Sequence, residues 1–379
     1  MRVRETDSLV AVPAAAWNAL PGVAANPFVR HEFLSALLET GCACARTGWR
    51  PRFLIAERDG ALAGALPLFE KTHSYGEYVF DWAWAQAYAH AGRAYYPKLV
   101  CAVPFTPVAG PRLLATDTEA RAALLAAALE RARERSSLHV LFPRAAEARD
   151  LADRHGFLLR RSVQYHWRNE GYRDFDDFLS RLTHRRRKTI RQERRRVAEA
   201  GVRFRWLAGG EADAQDWLFV ERCYRATYAA HRSLPYLNLA FFRRLGERLP
   251  AETRILLALR AGRPVAMALL FAAGGTLYGR HWGTVEPIPL LHFETCYYRP
   301  IAYAIEQGLE RFEGGAQGEH KILRGLLPAE TLSAHWIAEA RFARAIATHL
   351  ESERRALAHY VDELAEHSPF RTQAPCGES

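Results

Sequence analysis

Nowhere else does the chain gather as many groups able to do chemistry as in the twelve residues Glu313 to Arg324, EGGAQGEHKILR. Gly314, Gly315 and Gly318 give a backbone that can come close to a ligand. Glu313, Glu319, His320 and Lys321 supply candidate bases and a cation, and Gln317 a polar binding group. Acyl transfer to an amine needs these types. A base must take the amine proton, and donors must stabilise the tetrahedral oxyanion. Glu or His suits the first task, and Lys321 or the loop amides the second. A surface turn with solvated charges is the competing reading. Just upstream, His281, Trp282, His292 and Tyr297 are candidate substrate-binding residues. A Cys296–His nucleophilic pair is conceivable, although a packed thiol fits the same position. His166 and His335 each precede a Trp and read as packed, hydrogen-bonded strand residues.

These residues must be held by elements that the chain repeats. Residues 52–69 (RFLIAERDGALAGALPLF) and 254–271 (RILLALRAGRPVAMALLF) read as hairpins with Asp59-Gly60 and Ala261-Gly262 at their turns. Aligned on those glycines they match without a gap. Residues 156–167 and 325–336 form a second matched pair, both running from Gly to His-Trp with the same spacing. Gly60 precedes His166 by 106 residues and Gly262 precedes His335 by 73, so the first copy holds about thirty extra residues, placed between His73 and Leu114. This is a tandem duplication of one α/β unit. Helices are expected over 118–135, 175–200, 214–231, 239–249, 295–309 and 337–364, with Pro300 at a kink or in a first turn. The expected ranges are a first domain 1–170, a basic connecting helix 171–200, a second domain 201–336, a C-terminal helix 337–366 and a frayed tail 367–379.

At 379 residues, with 49% apolar and 25% charged side chains, the composition is that of a globular protein. Prolines interrupt residues 8–29, and 264–278 is too short to span a bilayer, so no transmembrane segment and a cytoplasmic location are expected. The six cysteines form no C-x-x-C pair, and no metal site is read. The formal charge is +10, of which +7 lies in His184 to Arg196, HRRRKTIRQERRR. Arg185, Arg186, Arg187, Lys188, Arg191 and Arg195 are therefore candidate polyanion-binding residues. A solvated interdomain helix is the alternative. Signatures of P-loop nucleotide hydrolysis, dinucleotide redox chemistry, serine hydrolysis and zinc proteolysis are absent.

Three segments carry a resemblance: YYPKLVCAVPFTPVAGPRLL from Tyr95, QYHWRNEGYRDFDDFLSRLTHRRRKTIRQERRRV from Gln164, and the 45 residues from His292 to Trp336. Over roughly residues 5–365 the chain resembles the FemAB-like, peptidoglycan biosynthesis/recognition branch of the GNAT acyltransferase superfamily. The resemblance implies an α/β (α+β) fold of two tandem GNAT-like (Fem-type) domains, each a mixed central sheet flanked by helices. It implies an acyl- or aminoacyltransferase forming an amide on an amine. Fem-type relatives transfer an amino acid from aminoacyl-tRNA to a peptidoglycan precursor, and other GNAT proteins use acetyl-CoA. The co-substrate is accordingly aminoacyl-tRNA or acyl-CoA, with no tightly bound cofactor. tRNA and a small-molecule or cell-wall-precursor acceptor are the candidate partners. Arg311 to Ala316, RFEGGA, matches the [QR]-x-x-G-x-[GA] pyrophosphate loop but follows a predicted helix. The helical arm of Fem-type proteins has its candidate in 175–200. An acetyl-CoA-dependent N-acetyltransferase and a non-catalytic GNAT-fold protein binding an anionic cell-wall precursor or RNA are the alternatives.

Overall fold

A computed structural model describes residues 1–371. Its described strands are β1 (Arg2–Thr6), β2 (Trp49–Pro51), β3 (Phe53–Arg58), β4 (Ala61–Leu66), β5 (Leu68–Lys71), β6 (Lys98–Cys101), β7 (Leu114–Ala115), β8 (Ser137–Leu141), β9 (Leu158–Arg168), β10 (Val202–Ala208), β11 (Thr253–Arg260), β12 (Arg263–Ala273), β13 (Thr276–Thr284), β14 (Arg311–Glu313) and β15 (Leu327–Ile337). Among the described residues no helix is long and apolar enough to cross a membrane.

The duplication is visible in hydrogen-bond register. Both hairpin turns place two residues at positive φ, Asp59 (51°) and Gly60 (79°) in one, Ala261 (48°) and Gly262 (76°) in the other. That is the geometry which matches strand twist in a two-residue hairpin. In β3–β4 the pairs Arg58–Ala61 and Glu57–Leu62 are followed by a shift to Ala56–Gly64. In β11–β12 the pairs Arg260–Arg263 and Leu259–Pro264 are followed by the same shift to Ala258–Ala266. Each hairpin thus carries a one-residue bulge in the same place. β1 lies on β3 with Arg2 opposite Glu57, and β10 lies on β11 with Arg203 opposite Leu259, the matching position. The extra residues of the first copy contribute the helix Trp82–His90 and β6.

The chain forms two compact units. The first comprises residues 1–162, 235–250 and 330–358, the second 163–234, 251–329 and 359 onward. These are not the contiguous ranges read from the sequence. The His-Trp end of β9, from the first half, belongs to the second unit, and that of β15, from the second half, belongs to the first. In the first unit, β15 lies antiparallel on β8 with His335 opposite His139. In the second, β9 lies antiparallel on β14 with His166 opposite Glu313. The first unit holds a four-stranded sheet, β1-β3-β4-β7, and strands ordered β15-β8-β6-β5-β2; the second runs β10-β11-β12-β13-β14-β9.

Two helix expectations and one for the tail are corrected. Residues 175–200 are two helices, Phe175–Arg181 and His184–Glu199. Leu182 is extended between them and bridges Phe370, while Thr183 N–H donates to the Pro369 carbonyl at 2.8 Å. The tail expected to fray from residue 367 is thus tied down over 369–371; residues 372–379 lie outside the described residues. The helix expected over 295–309 starts at Leu291, widens to a π turn over Glu294–Tyr298 and ends at Glu306. Pro300 has no N–H to offer the carbonyl four residues back, so the wider turn accommodates it.

β13 packs closely on the helix Ala214–Ala230: a Cβ at Gly283 would sit 2.2 Å from the Cys223 carbonyl oxygen. Gly283→Ala should therefore destabilise the protein by about 1–3 kcal/mol, read as a lower urea midpoint. An unchanged midpoint would mean that strand and helix can part at this point without loss.

Candidate functional site

β13 and β14 run parallel only from Thr276–Arg311 to Tyr278–Glu313, after which β13 continues to Thr284 and β14 stops. Glu313 stands where the two strands part. Its Oε1 is 3.3 Å from Arg311 Nε, and its buried Oε2 has no hydrogen-bond partner. His166 Nε2, equally buried and unpartnered, lies 3.9 Å from that oxygen, too far for a hydrogen bond. Burial pushes the Glu313 carboxyl up to about 7, against the opposing pull of Arg311 and Arg280. Burial, reinforced by the Arg311, Arg168 and Lys321 charges, holds His166 neutral, with its pKa lowered to about 3. A buried carboxyl that titrates near neutrality and keeps one oxygen free is suited to take a proton.

The loop after β14 extends the ladder: Gly314 N–H donates to the Tyr165 carbonyl at 2.9 Å, and Tyr165 N–H to the Gly315 carbonyl at 3.0 Å. A 3₁₀ turn, Glu319–Arg324, follows. RFEGGA therefore begins as a strand and leads into this short turn, rather than simply trailing a helix. Within the turn the side chains diverge. Lys321 points inward, is only 6% exposed, and donates to the Gly315 carbonyl at 3.2 Å. Burial lowers its pKa to about 8. His320 is half-buried and bonds the Tyr297 hydroxyl at 3.1 Å. Burial, then Arg324 and Lys321, lower its pKa. Glu319 is exposed and accepts from Tyr360 at 2.9 Å, and Gln317 is exposed.

The upstream residues form an aromatic wall. His292 meets the rings of Trp282 (5.3 Å), Tyr297 (5.4 Å) and His320 (6.1 Å). His281 meets Tyr224 at 5.0 Å and is held neutral by burial, with a pKa near 3. Burial drives the Cys296 thiol far up, which opposes a thiolate nucleophile. Ring contacts thus group His320, His292, Tyr297 and Trp282, the Lys321 charge acts on His292 and His166, and Glu313 meets His166, while Gln317 and Glu319 are exposed. His166, read from sequence as structural, joins the group; only the β9–β14 pairing reveals this. Among the described residues no three His, Cys, Asp or Glu side chains are arranged to hold a metal ion.

On the basic helix, Ile190 and Val197 are buried, Arg185, Lys188, Arg191 and Arg195 are exposed, and Arg186 and Arg187 are half-buried. Arg191 pairs with Asp176 at 2.9 Å.

The fold is shared with solved structures of low sequence identity. It resembles "Crystal structure of FemX" (12% identity, 92% of this chain and 100% of that one, TM-score 0.53) and L-PGS from Bacillus licheniformis (11% identity, 91% and 95%, TM-score 0.54). It also resembles a conserved protein of unknown function from Bacteroides thetaiotaomicron (10% identity, 88% and 99%, TM-score 0.55). No curated protein matches the chain. The FemAB-like family, described as peptidoglycan biosynthesis/recognition, matches residues 8–372, and the chain belongs to it.

The Glu313 carboxyl should leave a signature in stability. Its folded pKa of about 7 lies above the ordinary carboxyl value of 4.5. Between those values the native state binds more protons than the unfolded one, so this group's contribution to stability falls as pH rises from 4.5 to 7. Glu313→Gln removes that loss. Its stability relative to wild type should rise across this window, by at most on the order of 3 kcal/mol, in urea titrations at pH 5 and pH 8. A pH-independent difference would place the carboxyl pKa near its ordinary value.

Proposed function

We propose that the second unit is an acyl- or aminoacyltransferase that forms an amide on an amine acceptor, with Glu313 as base and Lys321 as the cation facing the oxyanion. The observation that carries the reading is the buried Glu313 carboxyl with a free oxygen beside the unpartnered His166 ring. The acceptor nitrogen attacks the donor's ester or thioester carbonyl carbon. A C–N bond forms, the carbonyl electron pair moves to oxygen, and the amine proton passes to Glu313. As the C=O bond reforms, the alkoxide or thiolate leaves with that proton. His320 and Tyr297 would orient the substrate, and His292 and Trp282 would supply an aromatic wall. Membership in a peptidoglycan biosynthesis/recognition family supports a cell-wall precursor as acceptor.

If Glu313 acts ionised and Lys321 protonated, turnover should peak between pH 7 and 8, between the pKa values of the two groups. Glu313→Gln should lower kcat about 100-fold or more, and Lys321→Ala by about 100- to 1,000-fold. Glu319→Gln should stay near wild type. Steady-state kinetics over a panel of aminoacyl-tRNA and acyl-CoA donors decides it. Wild-type rates in both Glu313→Gln and Lys321→Ala would remove the site from the chemistry.

The exposed cations Arg185, Lys188, Arg191 and Arg195 favour a polyanion on the same unit, with tRNA as the donor-bearing candidate. Reversing these four to Glu should abolish salt-dependent tRNA binding while leaving the fold intact. Absence of such binding by wild type at low ionic strength would exclude tRNA. It would leave acyl-CoA as donor, or a binding role without catalysis if no donor turns over.

A further inference from the structure

We propose that the first unit binds a phosphorylated small molecule with a hydroxylated ring, in a cleft of about 440 Å³ that no residue of the Glu313 loop lines. The cleft lies where three connections meet: Arg93 follows the helix Trp82–His90, Arg133 and Arg135 follow the helix Thr118–Ala132, and Glu339 precedes the helix Ala340–Glu366.

The arginines differ in how they are held. Arg135 is fixed by Glu70 through Nε (3.2 Å) and Nη2 (2.9 Å), and by the Glu134 carbonyl through Nη1 (3.0 Å). Arg93 has one long ion pair, 3.8 Å to Glu339, with both side chains exposed. Among the described residues Arg133 has no ion-pair partner, and it is exposed. Two loosely committed guanidinium forks on one cleft wall fit a phosphate, which they can grip bidentately.

Two tyrosines also line the cleft. Tyr88 stacks on Phe342 with centroids 3.8 Å apart and planes at 15°. Tyr96 is fixed through its hydroxyl to Ser74 at 2.8 Å. The Tyr88 face is covered by Phe342, but the half-buried Tyr96 ring, already immobilised, costs little entropy when it packs against a ligand ring. The Glu134 and Glu339 carboxylates at the rim accept hydrogen bonds from ring hydroxyls and discriminate against a bare polyanion. A sugar phosphate and a nucleotide share this chemistry.

Isothermal titration of the full chain at low salt tests the assignment, with glucose 6-phosphate, AMP, inorganic phosphate and glucose as probes. Glucose 6-phosphate or AMP should bind, and whichever binds identifies the source. Arg133→Ala and Arg93→Ala should each weaken it about tenfold or more, with unchanged melting temperatures. Failure of both esters to bind, binding unaffected by either substitution, or inorganic phosphate or glucose binding as tightly as the esters would overturn the proposal. None of these readouts involves acyl transfer, so the outcome is independent of Glu313.

Discussion

The second unit's site depends on the three-residue pairing of β9 with β14. Trp167 is fully buried opposite Phe312, and both belong to the unit's main apolar cluster. Side chains alternate along a strand, so fixing Trp167 and Phe312 on one face puts His166 and Glu313 together on the other. A slip of one residue would expose the indole and turn the carboxyl into the core. The hydrophobic drive to bury one aromatic pair thereby sets the register that leaves a carboxyl and an imidazole facing each other in a dry place.

The first unit has the same register with the opposite outcome. His139 occupies the position of Glu313, opposite His335, and their Nδ1 atoms are 2.6 Å apart. Ser137 bonds His139 Nε2 at 2.7 Å and Ser333 bonds His335 Nε2 at 2.8 Å. The segment that the second copy lacks then adds Tyr95, whose hydroxyl is 3.1 Å from His139, and the buried Lys98, which bonds Asp81 and, at 2.8 Å, Glu77. Buried charges endure when paired in this way. The insertion therefore fills, with its own ions, the place that the second unit keeps open. Two copies of one unit have diverged: in the first the facing imidazoles bond each other and two serines, and in the second the facing carboxyl and imidazole keep bonding capacity to spare.

Much of this was legible in the chain. The hairpins announce themselves through Asp59-Gly60 and Ala261-Gly262, because two-residue turns demand positive φ, and the bulged strands keep the repeat in phase. The candidate loop stood out through its glycines beside charged residues. The pairing of His166 with Glu313 did not, because strand partners 147 positions apart leave no local trace. Nor did the exchange of the two His-Trp strands between units, since each half looks complete in sequence. The break at Leu182–Thr183 lacks Gly or Pro; it is made by pairing with residues near 370, a tertiary effect that overrides helix propensity. Glu319 and Lys321 looked equivalent in sequence, but the tight 3₁₀ turn sends one to solvent and the other inward.

What holds that turn in place connects the site to the basic helix. Tyr297 and Tyr298 are adjacent in the π turn, both buried, and reach different partners. Tyr297 bonds His320, near the start of the 3₁₀ turn, while Tyr298 bonds Glu193. Glu193 in turn binds Arg324, the turn's last residue, at 3.0 and 3.1 Å, and the Arg324 guanidinium lies 3.4 Å above the Phe293 ring. The turn is thus pinned on either side of Lys321, whose inward course follows from its neighbours' attachments. Glu193 is the only acid within the run from His184 to Arg196, and it faces the turn while Arg185, Lys188, Arg191 and Arg195 face solvent. One helix therefore uses Glu193 to position the candidate loop and leaves exposed cations on the other side. That division explains why so basic a segment is retained as a helix with only Ile190 and Val197 to bury.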